Sequence, residues 1–422
     1  MERICDILIV GGGAAGLACA VSAAEVSKKL NITVIDRMKR VGKKISVTGN
    51  GRCNLSNVNI APEYYHGSVN ISGLLFEVPD IRPFFEKLGL FTYADEAGRI
   101  YPLSNAASSV TDALRFAAVK KGVRLLTDLN CTEISKKDEN FLVKTDKEEI
   151  KAKTVVLACG GSAAPVHGSN GSGFLLAKAL GLKINPTYPA LCALTADNTK
   201  SLEGVRAKCR AELIYNGKPV KTELGEVQFT KNGLSGICIF NLSSELPPKI
   251  NAGDYSVRLD IAPDFSLGEV KKMLNTALEA RSGVEAQDCF NGIFNRAVAL
   301  YLLKRADIPA SRPAAKITES DINCLAKIAK ALEFQISGRG DFSSAQVTAG
   351  GVKGDEINGE FMSRKVKGLF LAGEILDIWG DCGGYNLHFA FASGIRAGIE
   401  AAKLVTWLEA GNRKEKDKFE IT

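Results

Sequence analysis

The chain has 422 residues, of which 45% are hydrophobic and 24% are charged, and these proportions are ordinary for a globular enzyme. Its length allows two or more domains with their own cores, and no apolar run approaches the ~20 residues of a membrane-spanning helix. The net charge of +7 is modest and acidic residues interrupt the basic ones, so we expect neither nucleic acid nor a membrane span.

The cysteines and the N-terminus indicate the redox state of the thiols and the cellular compartment. The eleven cysteines include no C-x-x-C pair, and with three histidines they form no zinc-binding pattern, so we expect reduced thiols and no metal. Cys19, in the first helix, and Cys238, in an apolar strand, are predicted to be small core residues. The N-terminus enters an apolar strand without the features of a signal peptide, which predicts a cytoplasmic protein.

A strand, a glycine-rich turn and a helix are predicted at the start of the chain. An apolar strand over residues 6–10 leads into GGGAAG, and apolar residues then recur at helical spacing. Gly11, Gly13 and Gly16 match the G-x-G-x-x-G pattern, whose glycines turn the chain, admit a pyrophosphate and let helix and strand pack closely. Asp36 ends the next strand, about 20 residues after Gly16, where an acidic side chain accepts hydrogen bonds from an adenosine ribose. The spacing predicts a site for FAD or NAD, and the charge of Asp36 would repel the 2′-phosphate of NADP.

A long glycine-rich connection follows over residues 37–57. Its length favours a functional loop over a merely flexible one. Gly42, Gly49 and Gly51 permit close approach of the backbone to a flat or charged group. The basic residues able to meet a phosphate or a ring edge are Arg37, Lys43, Lys44 and Arg52.

The rest of the first part alternates helices and strands. Helices are predicted over 81–88, 106–121 and 171–181, a hairpin over 91–101, and strands over 123–127, 131–135, 141–145, 149–151 and 154–157. The last of these strands runs into ACGG at Ala158, where Gly160 lets the backbone pass close to a cofactor.

The pattern changes at about residue 190. Strands are predicted over 191–195, 211–215, 218–221, 226–230, 236–241, 255–261 and 333–337, and helices over 267–280, 288–304 and 319–332. This block has no dinucleotide signature, so we interpret it as an inserted domain that covers the cofactor and shapes the substrate pocket.

The last part repeats the arrangement of strand, turn and helix. A strand over 367–371 precedes Glu374, and the turn GDCGG opens a helix over 385–404. The N–H groups at the start of this helix suit a partial negative charge, which reduced flavin carries at N1 and O2. These groups belong to Gly384, Tyr385, Asn386 and Leu387. Glu374 is expected to accept a hydrogen bond from a ribityl or ribose hydroxyl. NAD would need only the first turn, so the two turns together predict FAD.

These motifs resemble those of the BaiN-like (YhiN-type) NAD(P)/FAD-dependent oxidoreductases over nearly the whole chain. The resemblance is carried by GGGAAG with Asp36, GKKISVTGNGRCN at Gly42, ACGG at Ala158, AQVTAGGV at Ala345 and LFLAGEILDIWGDCGGYN at Leu369. It implies an α/β fold of the two-dinucleotide-binding-domain flavoprotein type, with a Rossmann-like FAD domain and an inserted domain of β-sheet plus helices. We expect the FAD domain at 1–189 and 346–422, and the inserted substrate or cap domain at 190–345, with helices at about 265–332.

The resemblance also implies FAD contacts, including an adenine contact near Cys131. Combined with the motif positions, it gives the predicted cofactor-binding residues Gly11, Gly13, Ala14, Ala15, Gly16, Asp36, Arg37, Gly42, Lys43, Gly49, Asn50, Arg52, Cys53, Cys131, Gly160, Glu374, Gly384, Asn386 and Leu387. Many relatives have glycine at the position of Asn50, whose side chain is therefore expected to alter the flavin contacts.

Activities in this family include reduction of conjugated C=C bonds in 3-oxo bile-acid intermediates. We expect NADH or NADPH to bind transiently and reduce FAD, because no second G-x-G-x-x-G is present, and the flavin to reduce an enone in a small hydrophobic substrate. This reaction needs a hydrogen-bond donor at the ketone oxygen and an acid for the α-carbon. The sequence does not single out a catalytic residue. The candidates are Tyr385, Cys382 and His388 near the second helix start, and His66 and His167 in loops.

Two other functions stay open. The first is a flavoprotein oxidase that uses oxygen instead of NADH or NADPH. The second is an FAD-dependent protein that acts on RNA or serves as a non-reductase scaffold. It would need a basic groove with stacking aromatics, whereas aromatic residues make up only 7% of the chain and no stripe of Arg and Lys is present.

Overall fold

A computed structural model describes residues 3–251 and 253–419. Its strands are β1 Arg3–Val10, β2 Ile32–Ile35, β3 Ser56–Asn57, β4 Tyr65–Gly67, β5 Thr92–Ala94, β6 Arg99–Pro102, β7 Arg124–Leu126, β8 Cys131–Lys137, β9 Asn140–Thr145, β10 Glu149–Leu157, β11 Ile184–Ala190, β12 Leu194–Ala196, β13 Arg206–Tyr215, β14 Lys218–Thr230, β15 Gly233–Ser235, β16 Tyr255–Asp260, β17 Leu332–Arg339, β18 Val347–Val352, β19 Leu369–Leu371 and β20 Ile378–Gly380. Its α-helices are α1 Ala14–Val26, α2 Ser72–Glu77, α3 Arg82–Lys87, α4 Ala107–Lys120, α5 Ser172–Ala179, α6 Ile237–Ser243, α7 Leu267–Ala280, α8 Ala286–Cys289, α9 Arg296–Arg305, α10 Glu319–Lys330 and α11 Tyr385–Phe419.

The chain divides into two compact units. Unit 1 consists of Met1–Pro189 and Gln346–Thr422, and unit 2 consists of Ala190–Ala345. The roles predicted for these segments, cofactor binding and substrate binding, stay predictions.

Unit 1 is built on a largely parallel sheet. β1 lies between β2 and β10, so that Val10 is opposite Ile35 on one side and Leu157 on the other. β7 extends the sheet beyond β2, and β19 pairs with the C-terminal half of β10, where Leu157 is opposite Leu371. The N-terminal half of β10 joins an antiparallel meander with β9 and β8. Because the strand order changes direction at β1, ligands are expected at the carboxyl ends of these strands.

The first and last helices of unit 1 pack with their backbones in contact. α1 is rich in alanine, and all but its last turn is buried or partly buried. A Cβ atom added at Gly394 of α11 would lie 2.2 Å from the carbonyl oxygen of Ala15, and one at Gly398 would lie 2.3 Å from that of Cys19. Small residues on both helices therefore permit this approach, which places the C-terminal helix beside the first glycine-rich turn.

Unit 2 contains a closed barrel of six strands in the order β12-β15-β14-β13-β16-β17, and β17 pairs with β12. Alternate residues of the strands, such as Leu213 and Phe229, fill its interior. Helices α7, α9 and α10 add Leu274, Leu302 and Leu325 to the same core. The predicted β-sheet plus helices is thus a barrel with helices packed against it.

One predicted strand of unit 2 is wrong. Residues 236–241 form most of helix α6 instead. Cys238, Ile239 and Leu242 are buried while Ile237 is 53% exposed, which is the spacing of one helical face. A short apolar run fits a buried strand and a helix equally well, and here packing on the barrel selects the helix. Cys238 is a buried core residue as predicted, but it lies in a helix.

Other boundaries in the chain also differ from prediction. The helix predicted over 288–304 is two helices, α8 and α9, because Asn295 caps α9 by accepting a hydrogen bond from the N–H of Ala297 at 2.9 Å. The strands predicted over 218–221 and 226–230 are one strand, β14, and those over 149–151 and 154–157 are one strand, β10. The strand predicted over 191–195 is the shorter β12.

Residues 3–251 and 253–419 include no helix that is both long and apolar enough to cross a membrane. In the same residues, no three His, Cys, Asp or Glu side chains come together as a metal ion would require. The eleven cysteines are free thiols, and most of them are buried.

Candidate active site

The predicted cofactor motifs lie at one edge of the main sheet. GGGAAG follows β1, ACGG follows β10, AGE follows β19 and Asp36 follows β2. These four strands are parallel neighbours, so their carboxyl ends share an edge. Backbone hydrogen bonds continue across it: Ala158 N donates to Val10 O at 2.9 Å, and Ala372 N donates to Leu157 O at 3.0 Å. The fold thus brings together segments from both ends of the chain.

The three glycines of the first turn have different physical requirements. Gly11 has a φ of +110°, and a Cβ there would lie 2.3 Å from the carbonyl oxygen of Ala158. A Cβ at Gly16 would lie 1.8 Å from the carbonyl oxygen of Gly11. Gly13, by contrast, has a φ of −83°, and a Cβ there would meet no atom within 4 Å. Packing inside the protein explains Gly11 and Gly16, whereas Gly13 is open on the side where this motif receives a ligand.

The N-terminus of α1 is available to an anion. Its first hydrogen bond runs from Leu17 N to Gly13 O at 2.9 Å, so the N–H groups of Ala14, Ala15 and Gly16 precede the helical ladder. The first turn contains no acidic residue, and no side chain caps it. Its N–H groups and partial positive charge therefore suit a phosphate.

Asp36 joins the first turn to the segment after β2. Its carboxylate accepts hydrogen bonds from the N–H groups of Gly12 and Met38, both at 2.7 Å. Burial raises the pKa of this carboxyl, and the two backbone donors oppose that rise. Leu129 N donates to Asp36 O at 3.0 Å, which brings the start of β8 beside Asp36. Cys131 begins β8, and burial raises the pKa of its thiol to about 12, which argues against a nucleophile here; its predicted adenine contact stays a prediction.

The connection over 37–57 folds back onto the first turn. Gly42 N donates to Gly12 O at 2.7 Å. Gly49 and Asn50 follow in the left-handed region, with φ of +56° and +55°. Asparagine tolerates this conformation better than most residues, which explains why it can replace glycine here. The side chain of Asn50 is exposed, and so are those of Arg37 and Lys43.

The GRCN motif, residues 51–54, lies near the end of this connection. The guanidinium of Arg52 lies 4.6 Å from the ring centroid of Tyr101 in a cation–π contact. Cys53 is fully buried, and burial raises the pKa of its thiol to about 12. It belongs to a small hydrophobic core against which Ala14 and Leu387 pack. Both helix starts therefore rest on the same core.

Glu374 forms an ion pair that sequence analysis missed. Its Oε2 accepts a hydrogen bond from Lys44 Nζ at 2.8 Å, and its Oε1 accepts one from Thr348 N at 2.8 Å. Thr348 Oγ1 in turn accepts a hydrogen bond from Ser162 N at 2.7 Å, in the loop after ACGG. Glu374 is 20% exposed and a carboxylate has further lone pairs, so it can accept another hydrogen bond, as predicted for a ligand hydroxyl. A Cβ at Gly160 would lie 4.0 Å from Glu374 Oε2, which places Gly160 beside this acid.

The second turn is held by its own asparagine. Asn386 Oδ1 accepts a hydrogen bond from Gly380 N at 2.8 Å, and its Nδ2 donates to Gly380 O at 2.7 Å. The first hydrogen bond of α11 runs from His388 N to Gly384 O at 3.0 Å, so the three preceding N–H groups are free of the helical ladder. A Cβ at Gly384 would lie 2.2 Å from Ser56 O. The side chain of Asn386 thus shapes the turn, and the backbone offers the donors.

The three candidate catalytic residues have different surroundings. His388 is fully buried, and burial lowers the pKa of its imidazole to about 4. Its Nδ1 lies 2.8 Å from Ser56 Oγ and its Nε2 lies 3.0 Å from Val78 O, so both ring nitrogens have partners within the protein. The ring of Tyr385 stacks on that of Tyr64 with centroids 4.5 Å apart, and burial raises the pKa of its hydroxyl.

Cys382 is partly buried, and its Sγ lies 3.7 Å from Gln346 Oε1. His167 lies in a short 3-10 helix, where its Nδ1 is buried.

A further group lies beside the second turn and was not predicted as a unit. β4 pairs with β20, so that His66 is opposite Trp379. The two rings stack with centroids 5.7 Å apart. His66 Nε2 lies 2.9 Å from Asp381 Oδ1, in the GDCGG turn. The histidine and the carboxylate are 315 positions apart, so spacing gives no signal for the pair.

The residues present fit FAD. An uncapped helix start beside open Gly13 suits the diphosphate, and the acid at the end of β2 suits an adenosine ribose. The start of α11, whose first three N–H groups precede the helical ladder, follows Glu374 in the chain and offers a second set of donors. Two helix starts that rest on the same small core offer more donors than a mononucleotide needs.

The comparisons with known proteins agree with this geometry. The family model described as HI0933-like protein Rossmann domain matches residues 5–400. A 3-dehydro-bile acid delta(4,6)-reductase of Clostridium scindens is 33% identical over 94% of this chain and 98% of its own length. A ribosomal RNA dihydrouridine synthase of Haemophilus influenzae is 24% identical over 96% of this chain and its full length. A second ribosomal RNA dihydrouridine synthase, from Escherichia coli, is 26% identical over 93% of this chain and 96% of its own length.

Among solved structures, a 3-ketosteroid-delta4-(5alpha)-dehydrogenase from Rhodococcus jostii has a TM-score of 0.50 at 15% identity, over 95% of this chain and 97% of its own. At this identity the likeness concerns the fold. The predicted fold class and family are thereby confirmed, and the predicted enzyme class, an FAD-dependent oxidoreductase, is supported by the relative named as a reductase. With a Rossmann sheet, two glycine-rich helix starts that pack on one small core and a family match along nearly its whole length, the chain belongs to the HI0933-like family.

Proposed function

We propose that this chain is an FAD-dependent oxidoreductase that uses NADH or NADPH to reduce a conjugated C=C bond in a small hydrophobic ketone of the 3-oxo bile-acid or steroid type. The observation that carries the proposal is that segments from both ends of the chain meet at the carboxyl edge of the main sheet, where the Lys44–Glu374 ion pair joins the connection after β2 to the segment after β19 at 2.8 Å. When bound, FAD supplies the hydride for such a reduction.

The chain's own residues have separate tasks in this proposal. The N–H groups of Ala14, Ala15 and Gly16 bind the diphosphate, and Asp36 binds the adenosine ribose. Glu374 accepts a hydrogen bond from a hydroxyl of the cofactor. The N–H groups at the start of α11 stabilise negative charge at the pyrimidine end of the flavin ring.

The names of the relatives support one reaction class. A delta(4,6)-reductase saturates a C=C bond conjugated to a ketone, and conversion of uridine to dihydrouridine also saturates a C=C bond conjugated to a carbonyl. Both reactions add a hydride and a proton across an activated double bond. The bile-acid reductase is 33% identical to this chain and the RNA-directed enzymes 24% and 26%, which favours the small substrate.

RNA is the second candidate substrate. It is favoured by two relatives that match over 93% or more of this chain. A net charge of +7 over 422 residues is modest for a protein that must bind a polyanion.

The test is a multiple-turnover assay under anaerobic conditions. The FAD-loaded protein is mixed with NADH or NADPH and with a panel that contains a 3-oxo-Δ4 steroid, a 3-oxo-Δ4,6 bile acid, simple enones and ribosomal RNA that lacks dihydrouridine. We expect consumption of the nicotinamide with a ketone that carries the conjugated bond, and not with its saturated counterpart. Turnover with RNA alone would contradict the substrate class, and no turnover with any acceptor would contradict the reaction.

A further inference from the structure

An indole N–H without an acceptor lies beside the second turn. Trp379 is 8% exposed, and no atom of the described residues accepts a hydrogen bond from its Nε1. A buried donor without a partner destabilises the fold, so such a group usually has a ligand acceptor or a water to satisfy it. The ring is fixed on two sides, because His66 stacks on it and the ring of Tyr188 meets it edge-on at 6.0 Å between centroids. The donor is therefore oriented before any ligand arrives.

The imidazole that stacks on this indole is also oriented. His66 Nε2 lies 2.9 Å from Asp381 Oδ1, and the side chain of Asp381 is 11% exposed. Because a carboxylate only accepts hydrogen bonds, this contact places a proton on Nε2 and orients the ring. No described residue is a hydrogen-bond partner of the other ring nitrogen, Nδ1.

The backbone holds this group close to the start of α11. His66 and Trp379 are opposite residues of β4 and β20, and β20 ends at the GDCGG turn. Asp381 N donates to Tyr64 O at 2.9 Å, and the hydroxyl of Tyr65 donates to Tyr385 O at 3.1 Å. These contacts tie the histidine strand to the turn assigned above to the flavin ring.

We propose that His66 donates the proton to the α-carbon of the substrate and that Trp379 Nε1–H binds the ketone oxygen. The inference rests on the proposed function and names the two groups that enone reduction requires. The hydride forms a C–H bond at the β-carbon, and the π electrons of the C=C bond move toward the α-carbon and the ketone oxygen. Trp379 stabilises the negative charge on that oxygen.

The proton balance of the step is closed by His66. The Nδ1–H bond breaks as the C–H bond at the α-carbon forms, so the C=C bond is reduced, the flavin hydroquinone is oxidised, and His66 becomes neutral. Water returns the proton to Nδ1 before the next cycle. Asp381 is a positioning residue, since it touches the imidazole and not the substrate.

The experiment compares two half-reactions in FAD-loaded His66→Gln and Trp379→Phe. Trp407→Phe is the matched control, because Trp407 is the other tryptophan of the chain and is 66% exposed. We expect all three variants to retain FAD and to be reduced by NADH or NADPH at the wild-type rate. Reoxidation of the reduced flavin by a 3-oxo-Δ4 steroid should slow by about 100-fold in His66→Gln and by at least about tenfold in Trp379→Phe.

Binding and spectroscopy add readouts that do not depend on turnover. In the Trp407→Phe background, Trp379 is the remaining tryptophan, so its fluorescence should change when the steroid binds the oxidised protein, and Trp379→Phe should weaken steroid binding measured by calorimetry. Nitrogen NMR of labelled histidine, with three signals and His66 assigned by His66→Gln, should show the Nε2–H tautomer. Asp381→Asn should shift this tautomer without loss of FAD.

The outcomes separate the two proposals. A wild-type flavin that no enone reoxidises overturns the proposed function, and this inference with it. Wild-type reoxidation that His66→Gln and Trp379→Phe leave unchanged overturns this inference alone. Loss of FAD in Trp379→Phe, but not in Trp407→Phe, would assign the indole N–H to the cofactor and also overturn it.

Discussion

Gly394 of the last helix touches Ala15 of the first: a Cβ at Gly394 would lie 2.2 Å from the carbonyl oxygen of Ala15. This contact joins the two chain ends at the point where the first glycine-rich turn becomes helix α1. Gly373, just after β19, approaches the same residue, since its Cβ would lie 2.9 Å from Ala15 Cβ. Ala15 is thus surrounded by the C-terminal segment that the proposed function needs beside it.

Gly394→Ala should separate α11 from α1. The added methyl cannot be accommodated by a side-chain movement, because it meets backbone, so we expect a loss of at least about 2 kcal/mol in the free energy of unfolding of the apoprotein. Denaturant unfolding measures this. Gly73→Ala in α2 is the control, because a Cβ there meets no atom within 4 Å. It should be neutral or slightly stabilising. Equal losses in both variants would argue against backbone contact between the two helices.

Gly13→Ala should separate cofactor binding from folding. The φ of −83° suits alanine and the added Cβ meets no atom, so the stability of the apoprotein should stay within ~0.5 kcal/mol of wild type. The methyl would occupy the space that the diphosphate needs, so the Kd for FAD should rise at least about tenfold. Gly16→Ala should instead destabilise the apoprotein, because its Cβ would lie 1.8 Å from Gly11 O. Wild-type FAD affinity in Gly13→Ala would place the diphosphate elsewhere.

Glu374→Gln should weaken FAD binding, because a neutral amide oxygen accepts the hydrogen bond of a cofactor hydroxyl less strongly than a carboxylate does. The glutamine oxygen can still accept the hydrogen bond of Thr348 N, but Lys44 loses its carboxylate partner. We expect FAD retention on gel filtration to fall and the Kd to rise about tenfold, with at most about 1 kcal/mol lost in stability, because the pair is partly exposed. Glu133→Gln, which breaks the exposed pair with Lys144, is the control and should retain FAD fully. Unchanged FAD binding in Glu374→Gln would remove this residue from the site.

His388 gives the apoprotein a specific dependence on pH. Burial lowers the pKa of its imidazole to about 4, below the usual value near 6.5 of the unfolded chain. Below about pH 6.5 the unfolded state therefore binds a proton that the folded state does not, so stability decreases as pH falls toward 4. We expect a loss of about 2 kcal/mol between about pH 7 and pH 5, measured by denaturant unfolding. His388→Gln should lose clearly less over the same range, and equal slopes would show that His388 ionises freely in the fold.

Spacing along the chain predicted the parts of the site that depend on local geometry. The G-x-G-x-x-G turn and the glycine-rich start of α11 each combine a strand end with a helix start, and Asp36 directly follows a strand, so all three have recognisable patterns. The sheet then brings the first turn and Asp36 together, because β1 and β2 are parallel neighbours that end at the same edge. The predicted roles of these residues in cofactor binding stay predictions.

Contacts between distant segments could not be predicted in this way. Lys44 and Glu374 are 330 positions apart, and His66 and Asp381 are 315 positions apart. Nothing in the local pattern of either segment indicates its partner. The indole N–H of Trp379 is unusual because it is buried without an acceptor, and only the packed structure shows that burial. Helix α6 was missed for a related reason, since packing on the barrel decides its conformation.

The central claim is that unit 1 holds one FAD whose reduced form saturates a bond conjugated to a ketone. A single-turnover measurement tests it most directly. The bound flavin is bleached under anaerobic conditions with one equivalent of dithionite, and one equivalent of a 3-oxo-Δ4 steroid is then added. The account predicts that the visible absorbance of oxidised flavin returns and that an equal amount of saturated ketone forms. A flavin that stays bleached with the steroid, or a chain that takes up no FAD, would contradict it.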